Sequence, residues 1–177
     1  MIAETSGRQL VALARAALEA RVRGERPPAV PPELDIPTSG LFVTIHCGGS
    51  LRGCLGTIEP CERLGEALVR LAADVAHEDH RFAAIAPGEL ADVRVSVSLL
   101  TAAEQVTDPS TIEVGRDGLI VEQGRRRGLL LPQVASEHGW DREMLLSQTC
   151  IKAGLAPDAW QKGATVLRFE AEAFGEK

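Results

Sequence analysis

A chain of 177 residues with 45% hydrophobic and 25% charged side chains has the length and composition of one globular domain with a sizeable core. Its net charge of −6 excludes generic binding to nucleic acid or an anionic membrane, and four Phe, two Trp and no Tyr are too few for a base-stacking surface. The N-terminus carries Glu4 without an apolar signal region and no long apolar run follows, which points to the cytoplasm, where the four cysteines stay reduced.

Ser6-Gly7-Arg8-Gln9 matches a capping box and predicts a helix start. Leu10, Leu13, Ala14, Ala17 and Leu18 then recur at helical spacing as far as Gly24. Residues 26–38 hold five of the ten prolines and read as an extended connector. Leu41 to Cys47, a Gly48-Gly49-Ser50 turn and Leu51 to Ile58 predict a β-hairpin. A helix follows from about Glu62, with Leu64, Ala67, Leu68, Leu71, Ala72 and Val75 as its buried stripe. His77-Glu78-Asp79-His80 reads as the polar end of that helix; its histidines are three apart, where a zinc-protease helix needs four. Val93 to Leu100 alternates as a strand whose Arg94, Ser96 and Ser98 form a wet face. Gly118 to Glu122 and Gly128 to Leu131 form a second hairpin, with Arg125-Arg126-Arg127 at its solvated tip. Asp141 caps a helix running to Lys152, with Gly154 as its left-handed terminus and Cys150 in its core face. Thr165 to Phe174 is the last strand. Strands and helices interleave irregularly, so the fold class is α+β within a single domain, residues 1–177.

The run Leu51-Arg52-Gly53-Cys54-Leu55-Gly56-Thr57 carries the chemistry. Strand alternation puts Arg52, Cys54 and Gly56 on one face and Leu51, Gly53 and Leu55 on the other, towards the core. An arginine beside a cysteine favours the more nucleophilic thiolate. Gly56 leaves open space beside the sulfur, and Gly53 lets another backbone approach from behind. Two hairpin registers compete. A two-residue Gly48-Gly49 turn suits a primed hairpin but sets Val43 against Cys54 and Ile45 against Arg52. A three-residue turn sets Thr44 against Cys54 and His46 against Arg52, which gathers one polar face; the apolar pattern favours it. In that register His46 is a diagonal neighbour of Cys54, the minimal arrangement for an activated thiol. The plainer alternative makes Cys54 a small buried residue and Arg52 an ordinary ion-pair partner. Arg81 follows the histidine cluster and brings a second arginine towards the hairpin if the chain turns back there. Cys47, Cys54 and Cys61 lack paired ligand spacing, so no metal and no cofactor is expected.

Several segments together resemble the AMMECR1 family: Leu41 to Thr44, Arg52 to Thr57, Glu78 to Phe82, Val95 to Ser98, Gly118 to Ile120, Leu131 to Ala135, Trp140-Asp141, Lys152 to Leu155 and Trp160. Leu55 stands where the family usually has isoleucine, and His80 where it usually has proline. The resemblance implies an α+β fold with a larger β-sheet lobe flanked by helices, a smaller lobe, and a cleft between them lined by the Arg-Gly-Cys segment. It also implies MEMO-like and radical-SAM proteins as partners in a shared modification or metabolic pathway (an AmmeMemoRadiSam system), and supplies no reaction.

Two classes of function follow. One is a binding or accessory component whose Arg52, Gly53, Gly56 and Arg81 recognise a small anion or a partner. The other is an enzyme with Cys54 as nucleophile, Arg52 holding an anionic substrate and His46 assisting. The absence of a second acid or base favours binding.

Overall fold

Leu10, Leu13, Ala14, Ala17 and Leu18 are all buried along helix α1 (Glu4–Arg23), and Gly24, in the left-handed conformation, ends it. The computed structural model describes residues 4–176. Helix α1 already includes Ser6, so the capping box predicted there does not form; nothing in Ser6-Gly7 stops a helix that begins further upstream. The chain divides into two compact units, one of residues up to 100 with those from 172 onward, the other of residues 101–171.

In the first unit the proline-rich connector turns once, at Pro32–Leu34, and buries Leu34. Antiparallel strands follow, hydrogen-bonded in the order β2 (Ser50–Thr57), β1 (Leu41–Cys47), β3 (Val93–Leu100). Alternation sends Leu41, Val43 and Ile45 of β1, and Val93, Val95, Val97 and Leu99 of β3, into a core shared with α1 and α2 (Leu64–Asp74). The opposite face of β3 is not uniformly wet: Arg94 is exposed, Ser96 half-buried and Ser98 buried.

The hairpin combines both expected registers. Gly48 and Gly49, with φ of +58° and +82°, make a two-residue primed turn that pairs Cys47 with Ser50 and His46 with Leu51. One extra residue, Arg52, is then accommodated as a bulge, and pairing resumes with Ile45 against Gly53 and Thr44 against Cys54. Turn chemistry wins at the tip and burial wins beyond it. The expected pairing of His46 with Arg52 is therefore incorrect, and Leu51 is 41% exposed rather than in the core.

The second unit pairs β5 (Asp117–Gln123) with β6 (Arg126–Leu130) on one side and with residues 165–170 of β7 (Thr165–Gly175) on the other, and the short β4 (Glu104–Gln105) with the same part of β7. Its core gathers Ile112, Leu119, Val121, Leu130 and Val166, with α3 (Pro132–His138) supplying Ala135 and α4 (Arg142–Lys152) supplying Leu145, Leu146 and Cys150. Asp141 caps α4 by accepting the Met144 amide, and Gly154 takes the left-handed conformation after it. Among the described residues no helix is long and apolar enough to cross a membrane.

Candidate functional site

Cys54 lies on β2 with its backbone turned away from β1. Its amide donates to Asp79 Oδ2 at 2.9 Å, and its carbonyl accepts from Arg81 Nη2 at 3.3 Å. It thus sits opposite Thr44 in a non-hydrogen-bonded pair, where side chains approach most closely. The Thr44 hydroxyl meets the Cys54 sulfur at 3.3 Å.

Asp79 is the centre of this arrangement. Its side chain is 5% exposed and accepts from Arg81 through Nε at 2.9 Å, Nη2 at 2.7 Å and the backbone amide at 3.3 Å. The Arg81 guanidinium holds the Asp79 carboxyl well below the usual carboxylate range; burial opposes this, and the Cys54 and Arg81 amides reinforce it. Arg81 in turn is raised, first by Asp79, and lies 5.3 Å from the Phe82 ring centroid. Residues 77–80 are not the end of α2, which stops at Asp74; the chain turns back there and brings Asp79 beside the edge of β2.

The bulge redirects Arg52. Its guanidinium grips Glu89 with two bonds, 3.0 and 3.2 Å, and donates to the carbonyls of Ala83 at 2.7 Å and Ala84 at 3.4 Å. Glu89 is held below the usual carboxylate range, first by the Ala86 amide and then by Arg52. Arg52 therefore fastens residues 83–89 to β2, and the arginine in contact with Cys54 is Arg81. Sequence alternation alone had pointed to Arg52, and the bulge is the reason it misled.

His46 is half-buried near the tip of β1, and among the described residues its ring makes no hydrogen bond. The space expected at Gly56 is filled, because a Cβ there would fall 2.3 Å from the Phe42 ring. Gly53 does admit backbone from behind: its missing Cβ would sit 3.3 Å from the Val75 carbonyl. Cys47 and Cys61 are half-buried free thiols and Cys150 is fully buried, its thiol pushed up by burial. Among the described residues no three His, Cys, Asp or Glu side chains converge as a metal site.

A polar hollow of about 450 Å³ lies in the second unit, lined by Thr101, Glu104, Arg116, Asp117, Arg168 and Glu170. Its charges are mutually engaged: Arg116 bonds buried Asp117 at 2.8 Å, and Arg168 pairs with Glu104 at 3.5 Å.

Sequence reasoning missed Asp79 and Glu89. For Asp79 a signal was present, an acid two residues before Arg81 within a segment that carries the family resemblance. For Glu89 there was none, since only the fold brings it to Arg52.

The family model AMMECR1 matches residues 11–174. The chain belongs to the AMMECR1 family. It is 45% identical over 185 residues to a Methanothermobacter thermautotrophicus protein, covering 99% of this chain and 96% of that one. It is likewise 45% identical over 187 residues to Protein TK0174 of Thermococcus kodakarensis, covering 97% and 90%. The crystal structure of the uncharacterized protein PH0010 from Pyrococcus horikoshii superposes with a TM-score of 0.90 at 40% identity, covering 97% of this chain and 91% of that one. The AMMECR1 fold is thus α+β here as in PH0010, and the Arg52–Thr57 and Glu78–Phe82 segments of this AMMECR1 chain meet at Cys54 through Asp79 and Arg81.

Proposed function

We propose that this chain is a binding or accessory component, with the Arg52-Gly53-Cys54 segment and Arg81 forming a recognition surface. A single observation carries this reading. The two arginines nearest Cys54 are engaged elsewhere, Arg52 on Glu89, Ala83 and Ala84, and Arg81 on Asp79 and the Cys54 carbonyl, and among the described residues the His46 ring makes no hydrogen bond to the sulfur. The polar group at the sulfur is the Thr44 hydroxyl, which is not a base. Arg81, 60% exposed, retains an open side towards solvent and is suited to a small anionic ligand or an acidic group on a partner. MEMO-like and radical-SAM proteins are the proposed partners, on the strength of the family resemblance, and the cytoplasm is the proposed compartment.

Competitive alkylation of the native protein with iodoacetamide, followed by peptide mapping, tests the reading. Cys54 is expected to react no faster than Cys47 and Cys61, which are exposed to a similar degree. Alkylation of Cys54 orders of magnitude faster than either, with protection by inorganic phosphate, would overturn it in favour of an enzyme with a Cys54 nucleophile. In parallel, the immobilised chain is expected to retain a purified MEMO-like or radical-SAM protein from the same genome, and to lose it in the Arg81→Glu variant.

A further inference from the structure

Two edge strands of this chain are finished differently. On β2 the outward amide and carbonyl of Cys54 are taken by Asp79 and Arg81. On β6, a two-residue turn at Gly124-Arg125 pairs Gln123 with Arg126. Residues 126, 128 and 130 then bond to β5, and residue 129 turns its backbone outwards. No strand pairs with that side of β6, and the amide and carbonyl of Leu129 have no partner among the described residues. Leu129 is only half-buried. Unpaired groups on an exposed edge are a template for a further strand.

The charge around this edge is one-sided. Arg125 is exposed at the turn, and Arg126 is exposed while one nitrogen reaches the Gly154 carbonyl at 2.8 Å. The end of α4 packs so tightly on Gly128 that a Cβ there would lie 2.6 Å from the Lys152 carbonyl carbon, so the backbone of exposed Lys152 lies against the face of β6 beside this edge. Arg127 is partly neutralised by Glu122 at 3.4 Å. In a chain of net charge −6, two exposed arginines stand at the turn end of this open strand and a lysine backbone lies across its face.

We infer that the edge of β6 docks an extended acidic segment of a partner protein as an added strand. Leu129 supplies main-chain bonds, and Arg125, Arg126 and Lys152 receive the carboxylates. Charge complementarity selects this occupant. A second copy pairing antiparallel through Arg126–Leu130 would set the arginines against leucines and bring no carboxylate to them. The inference is independent of the Cys54 surface.

The test uses the intact chain and a short peptide of alternating Glu and Val. Amide exchange followed by NMR should show Leu129 slowed by about tenfold or more at saturating peptide. The Arg125→Glu, Lys152→Glu double variant should weaken binding by about tenfold or more, as should raising salt to roughly 0.5 M. Among the described residues neither substituted side chain has a hydrogen-bond or ion-pair partner, so the variant is expected to keep the native circular dichroism spectrum. The same peptide N-methylated on the amides facing β6 should fail to bind. Unchanged Leu129 exchange at about 1 mM peptide would overturn the proposal. So would equal binding of the N-methylated peptide, or of a Lys-Val counterpart. Protection of Leu129 that rises with chain concentration in the absence of peptide would overturn it too, making the occupant a second copy.

Discussion

Asp79 and Arg81 occupy the place that a further strand would take beside β2, giving the Cys54 amide an acceptor and its carbonyl a donor. A buried carboxylate that accepts bonds from a guanidinium and two amides is charge-assisted throughout. Asparagine keeps one acceptor oxygen but loses the charge and sets an NH2 group against the donors that the other oxygen had accepted from. The Asp79→Asn variant should therefore lose about 1.5–3 kcal/mol at neutral pH in urea denaturation. The sign of its pH dependence follows from the lowered carboxyl. Stability from this group is fully present above the unfolded value near about 3.9, and is lost as pH falls through the lower folded value. The gap between wild type and Asp79→Asn should thus be constant above about pH 5 and narrow in acid. A gap that widens on acidification would contradict the assignment. The sequence carried part of this site. Thr44, Cys54 and the backbone approach at Gly53 were legible from alternation and composition. Asp79 was not, because His77 to His80 read as a helix end when the helix had already stopped at Asp74.

At the scale of elements, legibility followed periodicity. Helices α1 and α4 and both hairpins announce themselves by regular apolar spacing and by Asp141, Gly24 and Gly154. Helix α3 does not, since its seven residues bury only Pro132 and Ala135 and offer no stripe. The bulge at Arg52 is invisible for a different reason. It arises from a conflict between a two-glycine turn and an apolar alternation, and each signal taken alone predicts a regular ladder. Gly128 shows how tightly the elements of the second unit are fitted. A Cβ there would lie 2.4 Å from the Ala153 amide nitrogen, and that atom is backbone, so relief requires α4 to shift. The Gly128→Ala variant should accordingly lose about 1–3 kcal/mol, although alanine normally suits a folded chain better than glycine. Thermal or urea denaturation of the variant checks this, and an unchanged midpoint would mean that α4 moves freely on β6.

At the scale of the molecule, most buried apolar side chains among the described residues belong to two clusters, one within each unit. The chain is acidic, and among the described residues many of its cationic side chains are held in internal pairs, such as Arg81 with Asp79 and Arg116 with Asp117. The two clusters are unequally reported by natural probes. Trp140 and Trp160, the two tryptophans of the chain, both pack on the second cluster, and Cys150 is fully buried inside it. Tryptophan fluorescence therefore reads the second unit, and labelling of Cys150 reads the opening of α4 within it. Burial both shields the Cys150 sulfur and pushes its thiol up, so it should resist alkylation in the native state while the half-buried Cys47, Cys54 and Cys61 react. Along a urea series, pulse labelling of Cys150 should follow the fluorescence transition with the same midpoint. Leu145→Ala, which empties part of this core, should move both midpoints down together by the equivalent of about 2–5 kcal/mol. Cys150 labelling well ahead of the fluorescence change would instead mean that α4 detaches while the tryptophans remain packed. The second cluster would then not unfold as one cooperative unit.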